Sequence, residues 1–348
     1  MQNPKIYFIC PKNRFAHGGI KQIYRQVYFL RKNGFDAYLL KKIPSNDNWF
    51  NLDIPVKYSR EIFKKIKFAK LNYGNDFFNR QLIKYLRSKS ILISKEDILV
   101  FPEIFGPNIG KVYPNNPKVI FNQNCYYTFS HFSMFNDIEN HIYNNPKLIG
   151  TIVASSDAEN YLSFTFPKIN VLKIRLGIDS SIFKYSSEKK KQIAYMPRKL
   201  PEDVLQVLNI LQNRSNFDSW KFVPIENKSE SEVAQIMLES AIFLSFNHTE
   251  GFGLPPAEAM ACGCIVIGYK GQGGKDYLNT TYSYPIDDGN VASFAKTIEE
   301  VISEFSINEN AMKKKGKLAS DFILGEFNLE NEEKDVLKVW QNILQIDN

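Results

Sequence analysis

Cysteine is scarce: Cys10, Cys125, Cys262 and Cys264 are the only four in 348 residues, and no two stand as Cys-x-x-Cys. That excludes a disulfide-stapled scaffold and a zinc ribbon, and it suits a reducing compartment. No run approaches the ~18 apolar residues of a membrane-spanning helix. The opening MQNPKIYFICPKNRF has too short an apolar core for a signal peptide. A cytoplasmic protein is therefore expected. Eighteen Gly and 16 Pro are too few for a collagen-like or low-complexity chain. No short repeat recurs.

What is present is an ordinary globular composition, 44% hydrophobic and 23% charged, which excludes wholesale disorder. The length is about twice that of a usual domain, so two domains are expected. The net charge of +7 is unevenly spread. Residues 1–178 carry 26 Lys and Arg against 12 acids, whereas residues 179–348 carry 18 against 25. Such halves are expected to meet different partners, the basic one facing nucleic acid, an anionic membrane or an acidic substrate.

Strand and helix signals alternate along the chain. KIYFIC (5–10) reads as a strand, and Ile23, Val27 and Leu30 recur on one face of a helix ending at Asn33-Gly34. AYLL (37–40) completes a βαβ unit. Strands are predicted at 98–103, 119–124, 151–155 and 170–178, several of them continuous apolar runs of the kind buried on both faces in parallel sheets. After the charged stretch YSSEKKKQ (185–192), read as a linker, the pattern restarts with strands at 193–197, 221–225, 242–246 and 264–269. Helices are predicted at 201–212 and 229–241, with Ser229 and Glu232 as a capping box for the second. The tail from about Val291 reads as helical. Two doubly wound α/β domains are expected.

Directly after the strand IFLSF comes HTEGFGLPPAEAMACG (248–263). It reads as a glycine loop opening a helix near Pro255 or Pro256. Gly251 and Gly253 permit close backbone approach to a ligand, and the N–H groups of a first helical turn suit phosphate or sugar oxygens. Glu250 and Glu258 flank this loop, eight positions apart, as acceptors for sugar or ribose hydroxyls. The plain alternative is a solvated loop acid and an ordinary helix N-terminal charge.

This segment closely resembles that of the retaining glycosyltransferases of family 4, whose signature is Glu-x7-Glu within E-G-F-G-L-P-x-x-E-A-M-A-x-G-x-P-V-I. The chain reads E-G-F-G-L-P-P-A-E-A-M-A-C-G-C-I-V-I, departing where Ile265 replaces Pro. The resemblance implies a GT-B fold: α/β, with two doubly wound Rossmann-like domains facing a central cleft. Residues 1–180 would be the acceptor-side domain and 190–330 the donor domain, with a C-terminal helix (331–348) packing back on the first. It implies that Glu258 binds the nucleotide ribose, Glu250 the donor sugar hydroxyls, and Gly251, Phe252, Gly253 and Leu254 the donor. His17, Gly18 and Gly19 look like the family's first glycine loop, and GYKGQGGKDYL (268–278), with Gly273 and Gly274, like the loop over the donor sugar and diphosphate.

Departures from the family pattern are equally specific. Arg198 matches the family's diphosphate arginine, but the expected later lysine position is acidic (Glu202-Asp203), leaving adjacent Lys199 as the substitute. Where a His-Asp pair often follows the strand VIFNQN, Asn122, Gln123 and Asn124 stand instead, so His17, His131 or the amides themselves become candidates for the active site. His131 lies in a Phe- and Tyr-rich stretch that equally suits a structural histidine. Cys262 and Cys264 read as packing residues.

The resemblance implies a retaining transfer from a nucleoside-diphosphate sugar to a hydroxyl of a glycan or lipid-linked acceptor, in bacterial surface-polysaccharide (for instance lipopolysaccharide) assembly. No metal and no cofactor is expected, because Arg198, Lys199 and helix N-termini would carry the leaving-group charge and no Asp-x-Asp stands in a metal-site setting. An epimerase- or phosphorylase-like enzyme of the same architecture and a non-catalytic sugar-nucleotide-binding protein are the alternatives. Finally, Lys57–Lys95 holds 11 Lys and Arg against two acids, interleaved with Phe63, Phe68, Phe77 and Phe78. It is either a solvated helical face or a peripheral contact with anionic membrane. Nucleic acid is not expected, since no binding module accompanies it.

Overall fold

The structure is a computed structural model that describes residues 4–12, 18–44, 52–71, 77–130, 141–214 and 219–346. It divides into two compact units. The first comprises residues 1–154, 158–174 and 333–348, and the second 155–157 and 175–332.

The first unit is built on β1 (Ile6–Ile9), β2 (Ala37–Lys41), β3 (Val56–Tyr58), β4 (Ile98–Pro102), β5 (Lys118–Asn122), β6 (Leu148–Val153) and β7 (Val171–Lys173). They form one parallel sheet in the order β3-β2-β1-β4-β5-β6-β7. Every residue of β1, β4 and β5 is buried, which is why these strands lack apolar–polar alternation. Between β1 and β2 runs α1 (Gly18–Lys32), between β3 and β4 run α2 (Arg60–Lys70) and α3 (Phe77–Arg87), and between β6 and β7 runs α4 (Ser156–Thr165). The core joins Tyr7, Ile9, Leu99, Phe101, Ile120 and Val153 from the sheet to Ile62 and Leu162 from the helices. The strand order reverses between β1 and β4, the point outside which open α/β sheets hold their ligands.

The second unit contains β8 (Lys190–Tyr195), α5 (Pro201–Arg214), β9 (Lys221–Pro224), α6 (Glu230–Glu239), β10 (Ser240–Ser245), α7 (Leu254–Ala261), β11 (Ile265–Tyr269), β12 (Ser283–Ile286), α8 (Val291–Ile307), α9 (Glu309–Glu326) and only the first turn of α10 (Leu329–Leu344). Its parallel sheet runs β12-β11-β10-β8-β9 and reverses direction of growth at β8. The capping box at Ser229 and Glu232 is present.

The changeover between units falls after Ile174, not within 185–192, where β8 has already begun by Lys190. The reason lies in the contacts of the intervening segment: Gly177 N–H donates to Glu332 Oε2 at 2.9 Å, and Ile178 bridges to Asn328. From Glu333 onward α10 belongs to the first unit. There Glu333 accepts from Lys32 and Asn33, both at 2.7 Å, and Trp340 packs on Phe8. No helix of the described residues is long and apolar enough to cross a membrane.

Candidate functional site

In the second unit the residues singled out by sequence gather on loops leaving the carboxyl ends of β8, β10 and β11, around the reversal point of the sheet. Arg198 and Lys199 follow β8. Glu250 follows β10, and its carboxylate is ion-paired with Lys199. Burial, and then the positive charge of Arg198, lower the Lys199 ammonium from its ordinary value. Two cations are thus held side by side with a carboxylate on one of them.

Gly253 sits in the left-handed region (φ 84°) and caps α7, which begins at Leu254, one residue earlier than the sequence suggested. Pro255 and Pro256 then occupy the first turn and carry no N–H. The helix end therefore offers fewer donors than expected, the backbone N–H groups of Gly253 and Leu254, because Ala257 N–H closes the first helical turn on the Gly253 carbonyl. Glu258 lies one turn into the helix and is half-buried.

A second loop, after β11, is fitted against the first. Gly273 N–H donates to the Glu250 carbonyl at 3.0 Å. A Cβ at Gly273 would lie 2.2 Å from the Gly251 oxygen and 2.4 Å from Phe252 Cα, so only glycine allows the two backbones to touch. Gly274 has more room, its nearest neighbour being the Leu278 side chain at 3.1 Å.

Tyr277, which the sequence reading passed over, locks this arrangement. Its buried hydroxyl donates to the carbonyls of Phe252 and Gly253. Burial, then the charges of Glu258 and Asp276, hold its pKa well above the ordinary value, so it stays a donor. Its ring meets Phe252 at 5.2 Å and Phe327 at 5.9 Å. The available signal was its position, three residues past the double glycine, but a buried donor is not distinguishable from a core tyrosine in one sequence. The same loop reaches Ser156 and Asp157: Asp276 accepts from Ser156 N–H at 3.0 Å and Lys275 pairs with Asp157 at 3.0 Å. Nearby, burial raises the Asp288 carboxyl while His248, Lys275 and Lys270 oppose the shift.

In the first unit Gly18 and Gly19 open α1 as its first turn. Gln123 donates its amide to the Gly19 carbonyl at 2.9 Å, tying the end of β5 to the start of α1. Asn124 caps the turn that follows, accepting from Tyr126 N–H. Asn122 differs from the expectation for an active-site amide. It is fully buried and donates to Tyr143 at 2.6 Å and to Thr128 at 3.3 Å, so its place is in the interior of the unit. His17 and His131 lie outside the described residues.

His141, not singled out from the sequence, is buried with Nε2 donating to the Thr128 carbonyl and Nδ1 accepting from Tyr143 N–H, which makes it neutral. Burial lowers its pKa below the ordinary histidine value.

Close by, the buried Glu103 carboxylate follows β4 at the reversal point and accepts from Gln123 N–H at 3.1 Å. Burial pushes its pKa up to about 7 against the lowering effect of backbone N–H groups, with Tyr143 the neighbouring titratable group. A raised carboxyl pKa makes the folded state hold its proton longer than the unfolded chain does. Stability should accordingly fall as pH rises from about 4.5 to about 7. Replacing it by Gln removes that slope. Urea unfolding of wild type and Glu103→Gln at pH 5 and pH 8 should show the variant gaining up to about 3 kcal/mol relative to wild type at the higher pH; equal differences at both pH values would contradict a buried ionising carboxyl.

Residues 187–319 match the family described as Glycosyl transferases group 1. A curated relative, the alpha-1,6-glucosyltransferase of Actinobacillus pleuropneumoniae serotype 7 (strain AP76), is 29% identical over 272 residues, covering 75% of this chain and 79% of its own. Among solved structures, sucrose-phosphate synthase from Thermosynechococcus elongatus aligns with a TM-score of 0.68 at 13% identity, over 99% of this chain and 100% of that one. Anabaena Alr3699/HepE in complex with UDP-glucose aligns at 0.66 and 13% identity, over 97% and 99%. These likenesses span both units and show the fold; the family match falls on the segment that carries Arg198, Lys199, Glu250 and Glu258. Over that segment the chain is similar to the group 1 glycosyl transferases, and its two parallel α/β sheets share the two-sheet GT-B architecture of the aligned structures.

Proposed function

We propose that the protein transfers a hexosyl group from a nucleoside-diphosphate sugar to a hydroxyl of a glycan or lipid-linked acceptor, with retention of anomeric configuration and without a metal ion. The supporting observation is the cluster at the reversal point of the second sheet: Glu250 paired with Lys199 beside Arg198, with Glu258 eight residues further on the helix that Gly253 opens. UDP-glucose is the first donor to try, since the curated relative is named a glucosyltransferase and a solved structure of the same fold holds that molecule. An alpha-1,6-glucosyltransferase relative also suits a role in surface-polysaccharide assembly.

In this reading Glu258 accepts hydrogen bonds from the ribose hydroxyls and Glu250 from the donor sugar. The bond between the anomeric carbon and the diphosphate oxygen breaks while the acceptor oxygen bonds to the same face of that carbon. The departing diphosphate takes the acceptor's proton, so no separate base is needed. Arg198 and Lys199 meet the charge that grows on the leaving group, where preorganised donors are most effective. Lys199 exchanges Glu250 for the diphosphate as the donor enters, which frees Glu250 for the sugar.

A thermal-shift panel of UDP-, GDP-, ADP- and dTDP-sugars, in buffer containing EDTA, tests the proposal. At a concentration 100-fold above its Kd the right donor should add about 2.7 kcal/mol to stability. A flat response to every sugar nucleotide would refute it, and a shift seen only with added divalent cation would refute its metal-free form.

A further inference from the structure

We propose that α3 is an interfacial helix that docks the first unit on an anionic lipid bilayer. Seven of the fourteen large apolar side chains exposed among the described residues fall between positions 58 and 92, a tenth of the chain. The helix itself has no buried residue. Its three faces differ in kind. Asn79, Ile83 and Leu86 are half-buried on the side toward α2. Phe78, Leu82 and Tyr85, spaced four and three apart, form a second stripe that is 83%, 37% and 56% exposed, with Phe77 beside it at 65%. Arg80, Lys84 and Arg87, at the same spacing, line the opposite flank.

An apolar stripe left in water is costly, and a contiguous one marks an interaction surface. The charge around it selects the occupant. The segment 57–95 carries a net charge of +9, and its Glu61 is already paired with Lys65. A surface that is both apolar at depth and anionic at its rim satisfies the two stripes together, and an acidic bilayer is one: aromatic rings enter the acyl boundary while Lys and Arg extend to the headgroups. A nucleic acid would meet the cations and leave Phe77 and Phe78 unsatisfied. Lys89 is placed for the same purpose, with its ammonium 4.6 Å over the Tyr85 ring and 2.6 Å from its hydroxyl.

Co-sedimentation with vesicles tests this, using phosphatidylcholine alone and phosphatidylcholine with one quarter phosphatidylglycerol, in 0.1 M salt. The anionic vesicles should bind at least tenfold more protein. Both Phe78→Ser/Leu82→Ser and Arg80→Glu/Lys84→Glu/Arg87→Glu should reduce that binding tenfold or more. Neither should alter Tm or the donor-induced thermal shift, because α3 contributes nothing to the core or the donor loops. That donor readout keeps failure of docking separate from failure of the proposed reaction. Equal binding to the two vesicle types would overturn the proposal, as would an apolar double variant that binds like wild type. So would a dimer, seen by sedimentation velocity, that Phe78→Ser dissociates, since the stripe would then belong to a second copy.

Discussion

Glu258→Ala should lower kcat/KM about 10²- to 10⁴-fold while leaving the protein folded. A carboxylate accepting from two ribose hydroxyls forms hydrogen bonds with one charged partner, worth about 1.5–3 kcal/mol each. Its removal takes that much from donor binding. Because the ribose is remote from the reacting carbon, the loss should appear mainly in KM, the sign of binding shared by ground and transition states. Glu258 is half-buried near a helix N-terminus, so the structural cost should stay near about 1 kcal/mol. Steady-state kinetics with the donor identified by thermal shift, beside a melting curve, decide it. An unchanged KM would remove Glu258 from the nucleotide site.

Gly273→Ala should be more damaging to the fold of the site than its size suggests. The added carbon would meet backbone atoms, not the yielding end of a side chain, at 2.2 Å from the Gly251 oxygen and 2.4 Å from Phe252 Cα. The two loops must separate, breaking the Gly273–Glu250 backbone hydrogen bond and shifting the carbonyls that Tyr277 holds. Overpacking of this kind costs about 1–3 kcal/mol, which for a unit the size of the second one corresponds to a Tm lower by roughly 2–12 °C. The expected loss in donor affinity exceeds about 10²-fold, because the loop backbone that shapes the site is displaced. Gly274→Ala is the internal comparison: its nearest obstacle is the movable Leu278 side chain, and it should cost far less in both measurements. Equal effects at the two glycines would contradict the packing described.

The alternation of strand and helix was legible because parallel strands buried on both faces must be apolar throughout. Runs such as IYFI and ILVFP therefore announce themselves. The glycine loop was legible for a different reason: Glu250, Gly251, Gly253 and Glu258 stand at fixed short separations after a strand, which a linear pattern records. Lys199 was legible only as a neighbour of Arg198; its pairing with Glu250 joins positions 51 residues apart. The start of α7 was missed by one residue because Leu254 carries no capping signal of its own, and the shift changes which N–H groups of the first turn remain. Asn122 was misplaced because an amide at the end of a strand reads the same whether it turns outward or inward. Here Thr128 and Tyr143, folded beneath it, draw it in.

Composition and local pattern alone determined two α/β units, every strand but the short edge strands β3 and β12, and a loop of glycines bracketed by acids. These follow from periodicity and backbone freedom, which operate between near neighbours. The tertiary structure decided which distant groups share an environment: Tyr277 beneath the donor loop, Glu103 holding Gln123, and α3 with its aromatic stripe left outside. Burial and pairing depend on what packs across from a residue, and that is set by the closing of the sheets and their helices, which no short window of sequence contains.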